Sequence, residues 1–265
     1  MLKRIIITLL LFVGLIGWVE SALASAPLVQ ARSAILMNRI TGEILYEKNA
    51  WERRAPASTT KILTAILALE KGQPDTVIEV SENAAAVGEA TLQLNPGDSL
   101  TMIDLLHGAL MKSGNDACVA LAEAVSPSEA EFVNLMNFKA RVLGAQDTTF
   151  YNTNGLPHND HLTTAYDLAL IARYAMQNPV FAEIVGKRYY PLTWRDSRRS
   201  LYLKNTNKLL WSYQWATGVK TGTTNKAGKC LVAAGSYQER EMIVVVLNTP
   251  DRFGDAVRLL EFGLR

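Results

Sequence analysis

The sequence is short of the residues on which metal and disulfide chemistry depends. It contains two cysteines and three histidines among 265 residues. Cys118 and Cys230 lie far apart without metal-ligand spacing; an exported protein could join them, but two buried free thiols are the preferred interpretation. His158 and His161 share a loop that offers no third ligand. We therefore expect no metal and no other cofactor.

Neither sign of charge dominates the chain. Lys and Arg number 27 against 25 Asp and Glu. There is no basic run and no interleaving of basic and aromatic residues, which argues against nucleic acid as a partner. Internal repeats and low-complexity tracts are also absent. With 49% hydrophobic residues, the length suits one large domain or two small ones.

The one long hydrophobic run lies at the N-terminus. A basic start at Lys3 and Arg4 precedes an apolar stretch that is short for a membrane span. Ala22-Leu23-Ala24 fits an A-x-A cleavage site. We expect residues 1–24 to be a signal peptide and residues 25–265 the working domain, outside the cytoplasm. A retained N-terminal anchor is the alternative, and membrane contact is expected only in that case.

The order of predicted elements indicates an α+β fold. Two strand-like runs, "SAILMNR" and "EILYEK", precede an apolar helix that ends at Gly72. Thr101, Ser128 and Thr164 each stand three residues before an acidic residue, the pattern of a helix start. Strand-like runs ("KRYYPLTW", "TGVKTG", "KCLVAAGSYQ", "EMIVVVLNT") and a closing helix follow. The terminal strands then form one mostly antiparallel sheet flanked by helices, with an inserted helical lobe at roughly 73–184.

The first chemically suggestive pattern is "STTK". On a helix, residues i and i+3 share a face, so Ser58 and Lys61 can touch. Burial and a nearby cation lower a lysine pKa towards the range of a useful base. The helix dipole also disfavours an ammonium at this end. Taken alone, the pattern is weak, and a plain helix N-cap is the default explanation of Ser58.

Two further patterns occur once each. In "MKSGNDA", Ser113 and Asn115 lie two apart in a turn between predicted helices, where hydroxyl and amide can face one cavity. In "GVKTGTT", Lys220 and Thr221 offer a cation and a hydroxyl for a carboxylate. Gly222 leaves room for a substrate backbone to pair with the strand. A helix-linking turn and a solvated edge strand are the ordinary explanations of these segments.

The three patterns together are more specific than any one of them. The chain contains, in this order, the motifs S-x-x-K, S-x-N and K-T-G. Each lies on the predicted helix start, turn or strand that its proposed chemistry needs. This set of motifs is typical of β-lactamases and penicillin-binding proteins. We therefore predict that Ser58 is the nucleophile, Lys61 its base and Ser113 a proton relay. Asn115 would hold the substrate amide, and Lys220 and Thr221 its carboxylate.

Longer stretches around these motifs resemble one family. "RRAPASTTKILTA", "LLHGALMKSGNDACVALAE", "TTAYDLALIARYA" and "GVKTGTTNKAGKCLVAAG" are similar to the low-molecular-mass penicillin-binding proteins of the D-alanyl-D-alanine carboxypeptidase type (serine peptidase family S11). The resemblance implies the β-lactamase/transpeptidase-like fold with a five-stranded sheet. It also implies an oxyanion hole from the backbone N–H groups of Ser58 and Thr223. Peptidoglycan stem peptides would be the substrates, and β-lactams covalent inhibitors.

Three other activities stay open at this point. Many family members carry a second, β-rich domain and a C-terminal amphipathic helix; this sequence stops at Arg265 without them, and shorter members include endopeptidases. A class A β-lactamase would need an extra glutamate after the Ser113 motif. The sequence has no glutamate between Glu131 and Glu183. A domain that is acylated and stays so, as a sensor, is the remaining possibility.

Overall fold

The structure, a computed structural model, describes residues 26–195 and 197–265. The predicted signal peptide and its cleavage site lie outside the described residues. None of the helices within the described ranges has both the length and the apolar character needed to cross a bilayer.

One antiparallel sheet of five strands organises the fold. Its strands are β1 (Ser33–Asn38), β2 (Ile44–Lys48), β7 (Ala216–Thr224), β8 (Gly228–Tyr237) and β9 (Arg240–Thr249). Their spatial order is β2-β1-β9-β8-β7, so strands from the two ends of the chain meet at the centre of the sheet. This arrangement confirms the predicted sheet, and it leaves β7 as an edge strand.

Both faces of the sheet are covered, as the apolar run in β9 requires. Val244 and Val246 pack in one buried cluster with Leu259 of the closing helix. Ile243 and Val245 point to the opposite face and join the larger core. Because side chains alternate along a strand, one sequence run serves two layers.

The helices lie mainly between β2 and β7 in sequence. In chain order they are α1 (Lys61–Lys71), α2 (Glu82–Ala85), α3 (Met102–His107), α4 (Asn115–Val125), α5 (Glu129–Val142), α6 (Ala165–Ala175), α7 (Pro179–Gly186), α8 (Leu209–Ser212) and α9 (Arg252–Leu264). A π-helical segment, Gly108–Lys112, continues α3. Thr101, Ser128 and Thr164 cap α3, α5 and α6 by accepting the predicted backbone N–H bonds.

Two small two-stranded sheets stand apart from the main sheet. Strand β3 (Val77–Glu79) pairs with β4 (Ser99–Thr101), and β5 (Tyr189–Thr193) pairs with β6 (Ser200–Lys204). The run "KRYYPLTW", predicted as one of the C-terminal strands, is therefore a strand, but it belongs to a separate hairpin. The segment after this hairpin leads directly to the edge strand β7.

Candidate active site

Ser58 lies in a single 3₁₀ turn, Ala57–Thr60, immediately before α1. A 3₁₀ helix has three residues per turn, so residues i and i+3 eclipse. Lys61 is therefore stacked on Ser58, and its Nζ lies 3.1 Å from Ser58 Oγ. Ser58 does not cap the helix with its side chain. The hydroxyl is left free to meet the lysine.

Lys61 is completely buried. Its Nζ donates to Ser58 Oγ, to Asn115 Oδ1 at 2.7 Å and to the Asn154 carbonyl at 2.5 Å. These three acceptors match the three donors of an ammonium. Burial lowers the pKa of Lys61 to about 8, although more distant acidic groups oppose this shift. Within the described residues no carboxylate bonds to this amine, so it can lose its proton near neutral pH.

Lys220 is a second fully buried lysine, on β7. Its Nζ donates to Ser113 Oγ at 3.1 Å and to the Thr221 carbonyl at 2.9 Å. Burial lowers the pKa of Lys220 well below its ordinary value, and the charge of Lys61 lowers it further. The site thus contains two serine–lysine pairs. Lys220 contacts Ser113 rather than offering its ammonium freely to the cleft.

The Ser113–Asn115 turn faces both lysines. Ser113 adopts a left-handed backbone with φ 72°, which is uncommon for a residue other than glycine. Asn115 Oδ1 accepts from Lys61, and Asn115 Nδ2 donates to the Gly88 carbonyl at 3.1 Å. The amide therefore positions Lys61, and one of its two N–H groups is already in use.

Gly222 brings β7 against the 3₁₀ turn. A Cβ atom at Gly222 would lie 3.0 Å from both Pro56 O and Ser58 N, closer than side chains normally approach. The predicted pairing of a substrate backbone with this strand stays a prediction; on the face where the Cβ is missing, the 3₁₀ turn fills the gap. The glycine is needed because Ser58 itself occupies the space. Thr223, the next residue, is exposed at the mouth of the site.

Arg252, the first residue of α9, reaches the same strand. Its Nη1 donates to Gly222 O at 2.9 Å and to Thr223 Oγ1 at 2.8 Å. Thr221 Oγ1 lies 2.8 Å from Thr206 Oγ1. Sequence reasoning missed Arg252 and Thr206 because neither stands within a recognisable motif. A cation and hydroxyls therefore converge beside Thr223, as a carboxylate site requires.

The loop between α5 and α6 closes the opposite side. It supplies the Asn154 carbonyl to Lys61. A Cβ at Gly155, where φ is +87°, would collide with the Ala57 carbonyl. His161 Nε2 lies 3.0 Å from Thr60 Oγ1, and its Nδ1 accepts from the Tyr151 N–H. Burial lowers the pKa of His161 to about 4, so it is a neutral bridge between loop and turn.

Cys118 and Cys230 are both buried and free, which confirms the prediction of two thiols. Burial raises the pKa of each to about 11. Neither is therefore a thiolate nucleophile.

A buried lysine beside a serine, at the start of a helix whose preceding 3₁₀ turn lies against β7 of the five-stranded sheet, defines a serine enzyme of the β-lactamase/transpeptidase fold. A family model described as D-alanyl-D-alanine carboxypeptidase, Peptidase S11, matches residues 20–251. The chain belongs to the S11 family of serine peptidases, as its sequence motifs predicted.

Named relatives and solved structures agree with this placement. The chain is 38% identical to the D-alanyl-D-alanine carboxypeptidase DacF of Bacillus subtilis, over 99% of this chain and 71% of DacF. It is 37% identical to DacC of Escherichia coli, over 91% of this chain and 62% of DacC. The Streptomyces K15 DD-transpeptidase superposes with a TM-score of 0.85 at 32% identity, covering 90% of this chain and 98% of that one.

Proposed function

We propose that the protein removes the terminal D-alanine from peptidoglycan stem pentapeptides through an acyl-enzyme on Ser58. The family is one of cell-wall enzymes that act outside the cytoplasm, and we propose export by the N-terminal signal peptide. One observation carries the mechanism: a fully buried Lys61 amine lies 3.1 Å from Ser58 Oγ. Serine is inert without such a base.

The proposed reaction has two halves. In the first, Ser58 Oγ gives its proton to neutral Lys61 and attacks the carbonyl carbon of the penultimate D-alanine. The backbone N–H groups of Ser58 and Thr223 stabilise the oxyanion. The C–N bond then breaks, and the proton that Lys61 accepted passes through Ser113, which Lys220 orients, to the leaving amine. In the second half, water gives a proton to the again neutral Lys61 and attacks the ester carbon. The bond to Ser58 Oγ then breaks, Lys61 returns the proton to Ser58, and the shortened peptide leaves.

The substrate groups are assigned from the same contacts. Thr221, Thr223 and Arg252 are proposed to hold the free carboxylate of the leaving D-alanine. The unused N–H of Asn115 is left to hold a substrate carbonyl. Gly222 lets the strand approach Ser58 closely enough for Thr223 to line the oxyanion site. The sequence interpretation gave Lys220 the role of binding the substrate carboxylate. We propose instead that Lys220 orients Ser113.

Treatment with penicillin should leave a long-lived ester on Ser58. Within the described chain no carboxylate bonds to Ser58 or Lys61, so no such group is in place to activate a water molecule for hydrolysis of the ester. Mass spectrometry of the digested protein should place the adduct on the peptide that contains Ser58. A parallel incubation with a pentapeptide ending in D-Ala-D-Ala should release D-alanine.

Two variants sharpen that experiment. Ser58→Ala should form no adduct and release no D-alanine, whereas Ser128→Ala, which changes only the cap of α5, should do both. An adduct on another residue would refute the proposal. Rapid turnover of penicillin would instead indicate a β-lactamase, and a stable adduct without D-alanine release would indicate a sensor.

Acylation should depend on pH through Lys61. The neutral amine is the base, and burial lowers the pKa of Lys61 to about 8. The rate should therefore fall as the pH drops below about 8 and reach a plateau above it. Stopped-flow acylation by a fluorescent penicillin from pH 5.5 to 9.5 measures this, with circular dichroism to show that the fold persists. A flat profile across pH 6–9 would contradict Lys61 as the base.

A further inference from the structure

A second cleft lies beside the segment that joins α8 to β7, outside the serine site. Its volume is about 420 Å³, within the range of small-molecule sites, roughly 300–1,000 Å³. This surface is called the aromatic cleft, and its lining includes Arg188, Trp211, Tyr213, Gln214, Trp215 and Glu261. None of the residues assigned to the Ser58 chemistry or to the substrate carboxylate lines it.

The floor of the aromatic cleft is fixed to the main sheet. Tyr213 meets Trp215 edge-to-face, with 5.5 Å between the ring centres. Trp215 packs at a tilt on Tyr237 of β8, with 4.4 Å between the ring centres. The Trp215 carbonyl accepts from the Ser236 N–H at 2.9 Å. These contacts hold the rings in place before any ligand arrives, which lowers the entropic cost of binding.

Tyr213 brings an unpaired hydroxyl to the cleft. The residue is 8% exposed, and its hydroxyl forms no hydrogen bond of normal geometry within the described residues. Burial and the nearby Glu261 carboxylate raise the pKa of Tyr213, so the hydroxyl keeps its proton. A buried hydroxyl without a partner destabilises the protein, and a ligand that bonds to it removes this cost.

Planar polar side chains surround this hydroxyl. Arg188 Nε donates to the Leu210 carbonyl at 2.7 Å, which fixes the guanidinium beside α8. Glu261 Oε2 pairs with Arg265 at 2.6 Å, so its charge is balanced. Gln214 is exposed and adds an amide. Guanidinium, carboxylate and amide groups present donors and acceptors in pairs, which suits a ligand rich in hydroxyl and amide groups.

Trp211 supplies an apolar surface beside these polar groups. It is 36% exposed, so part of its ring is open to a ligand. A pyranose sugar has apolar C–H faces and a rim of hydroxyls, which matches a flat aromatic ring next to planar polar side chains. An acetamido group adds an N–H and a carbonyl, which match the acceptor of Glu261 and the donor of Tyr213.

We propose that the aromatic cleft binds the glycan strand of peptidoglycan, with an N-acetylated amino sugar packed on Trp211 and bonded to Tyr213. The inference rests on the proposed function for the identity of the polymer. The glycan is then held at a surface separate from Ser58, whichever stem peptide occupies the serine site. Holding the polymer raises the effective concentration of its stem peptides at that site.

The test uses tri-N-acetylchitotriose, a soluble chain of N-acetylated amino sugars that carries no peptide. Isothermal titration calorimetry with the full protein should show saturable binding. Cellotriose has the same ring linkage but hydroxyls in place of the acetamide groups. It should bind at least about threefold more weakly, the range for one lost hydrogen bond.

Three variants tie the binding to the cleft. Trp211→Ala should weaken the binding of chitotriose about fivefold or more. Tyr213→Phe removes only the hydroxyl and should weaken binding about threefold without lowering the urea midpoint, because the hydroxyl has no partner in the free protein. Trp51→Ala removes another exposed tryptophan, outside the cleft, and should bind chitotriose normally. If Trp211→Ala loses its cooperative urea transition, the Tyr213→Phe result decides.

The outcomes separate the cleft from the serine site. Chitotriose that does not bind, or that binds equally well to the folded variants of Trp211 and Tyr213, would overturn the cleft assignment. Acylation of Ser58 by penicillin, which contains no sugar, is measured on the same samples and reports on the proposed function alone. Binding to phosphatidylglycerol vesicles that depends on Trp211, without any binding of chitotriose, would assign this surface to a lipid membrane instead.

Discussion

Replacing Lys61 by arginine should reduce the rate of acylation by about three orders of magnitude, within the range that general-base catalysis contributes. Arginine keeps the positive charge but stays protonated in proteins, so it cannot accept the Ser58 proton. The buried slot for Lys61 is closed by Ser58 Oγ, Asn115 Oδ1 and the Asn154 carbonyl. Acylation by a fluorescent penicillin, followed in time, measures the loss.

The same helix supplies the control. Lys71 ends α1, eleven residues that start with Lys61, and it is exposed. Lys71→Arg should acylate at the normal rate. Since a guanidinium is larger than an ammonium, Lys61→Met serves as a second variant that fits the slot without a base. Both Lys61 variants should keep a cooperative urea transition while losing acylation. Near-normal acylation in a folded Lys61→Arg protein would make Lys61 a structural residue.

Some parts of the site that the sequence predicted are fixed by local geometry, while Ser113, Asn115 and Lys220 were predicted only because their motifs occur together. Ser58 and Lys61 are three residues apart, and one helical turn brings them together whatever the rest of the chain does. Thr101, Ser128 and Thr164 were recognisable as caps for the same reason, since a cap bonds within its own first turn. The meeting of strands from both ends of the chain in one antiparallel sheet followed from the order of the strand-like runs, whereas the number of five strands came from the family resemblance.

The parts that it missed depend on distant segments or on the backbone. Asn154 acts through its carbonyl, which every residue possesses, so its side chain gave no signal. Arg252 lies 30 positions after Gly222 in sequence, and only the packing of α9 on the sheet brings it to β7. Gly222 was singled out correctly, but the reason for a glycine became visible only when the 3₁₀ turn was found behind it.

The second large effect concerns the substrate carboxylate. A peptidase that removes one terminal residue must recognise the free carboxylate of that residue. Because charge-assisted hydrogen bonds are about twice as strong as neutral ones, the loss of this carboxylate should have a large effect. Arg252 is half-buried, so its charge is partly removed from water, and this burial lowers its pKa. Only Nη1 makes hydrogen bonds within the described chain. The other guanidinium N–H groups are therefore left for a ligand in the cleft.

Amidating the C-terminus of the pentapeptide should thus lower kcat/KM roughly 30-fold. This factor corresponds to about 2 kcal/mol of lost transition-state stabilisation, the scale of a hydrogen bond to a charged group. Arg252→Gln should slow the free acid by a similar factor and the amide much less, so that the two substrates converge. Arg265→Gln, at the far end of α9, is the matched control and should preserve the difference. Lys220→Ala should slow both substrates alike, because Lys220 acts on Ser113. If the unmodified protein cleaves the amide as fast as the acid, terminal carboxylate recognition fails, and an endopeptidase using the same Ser58 chemistry becomes the better description.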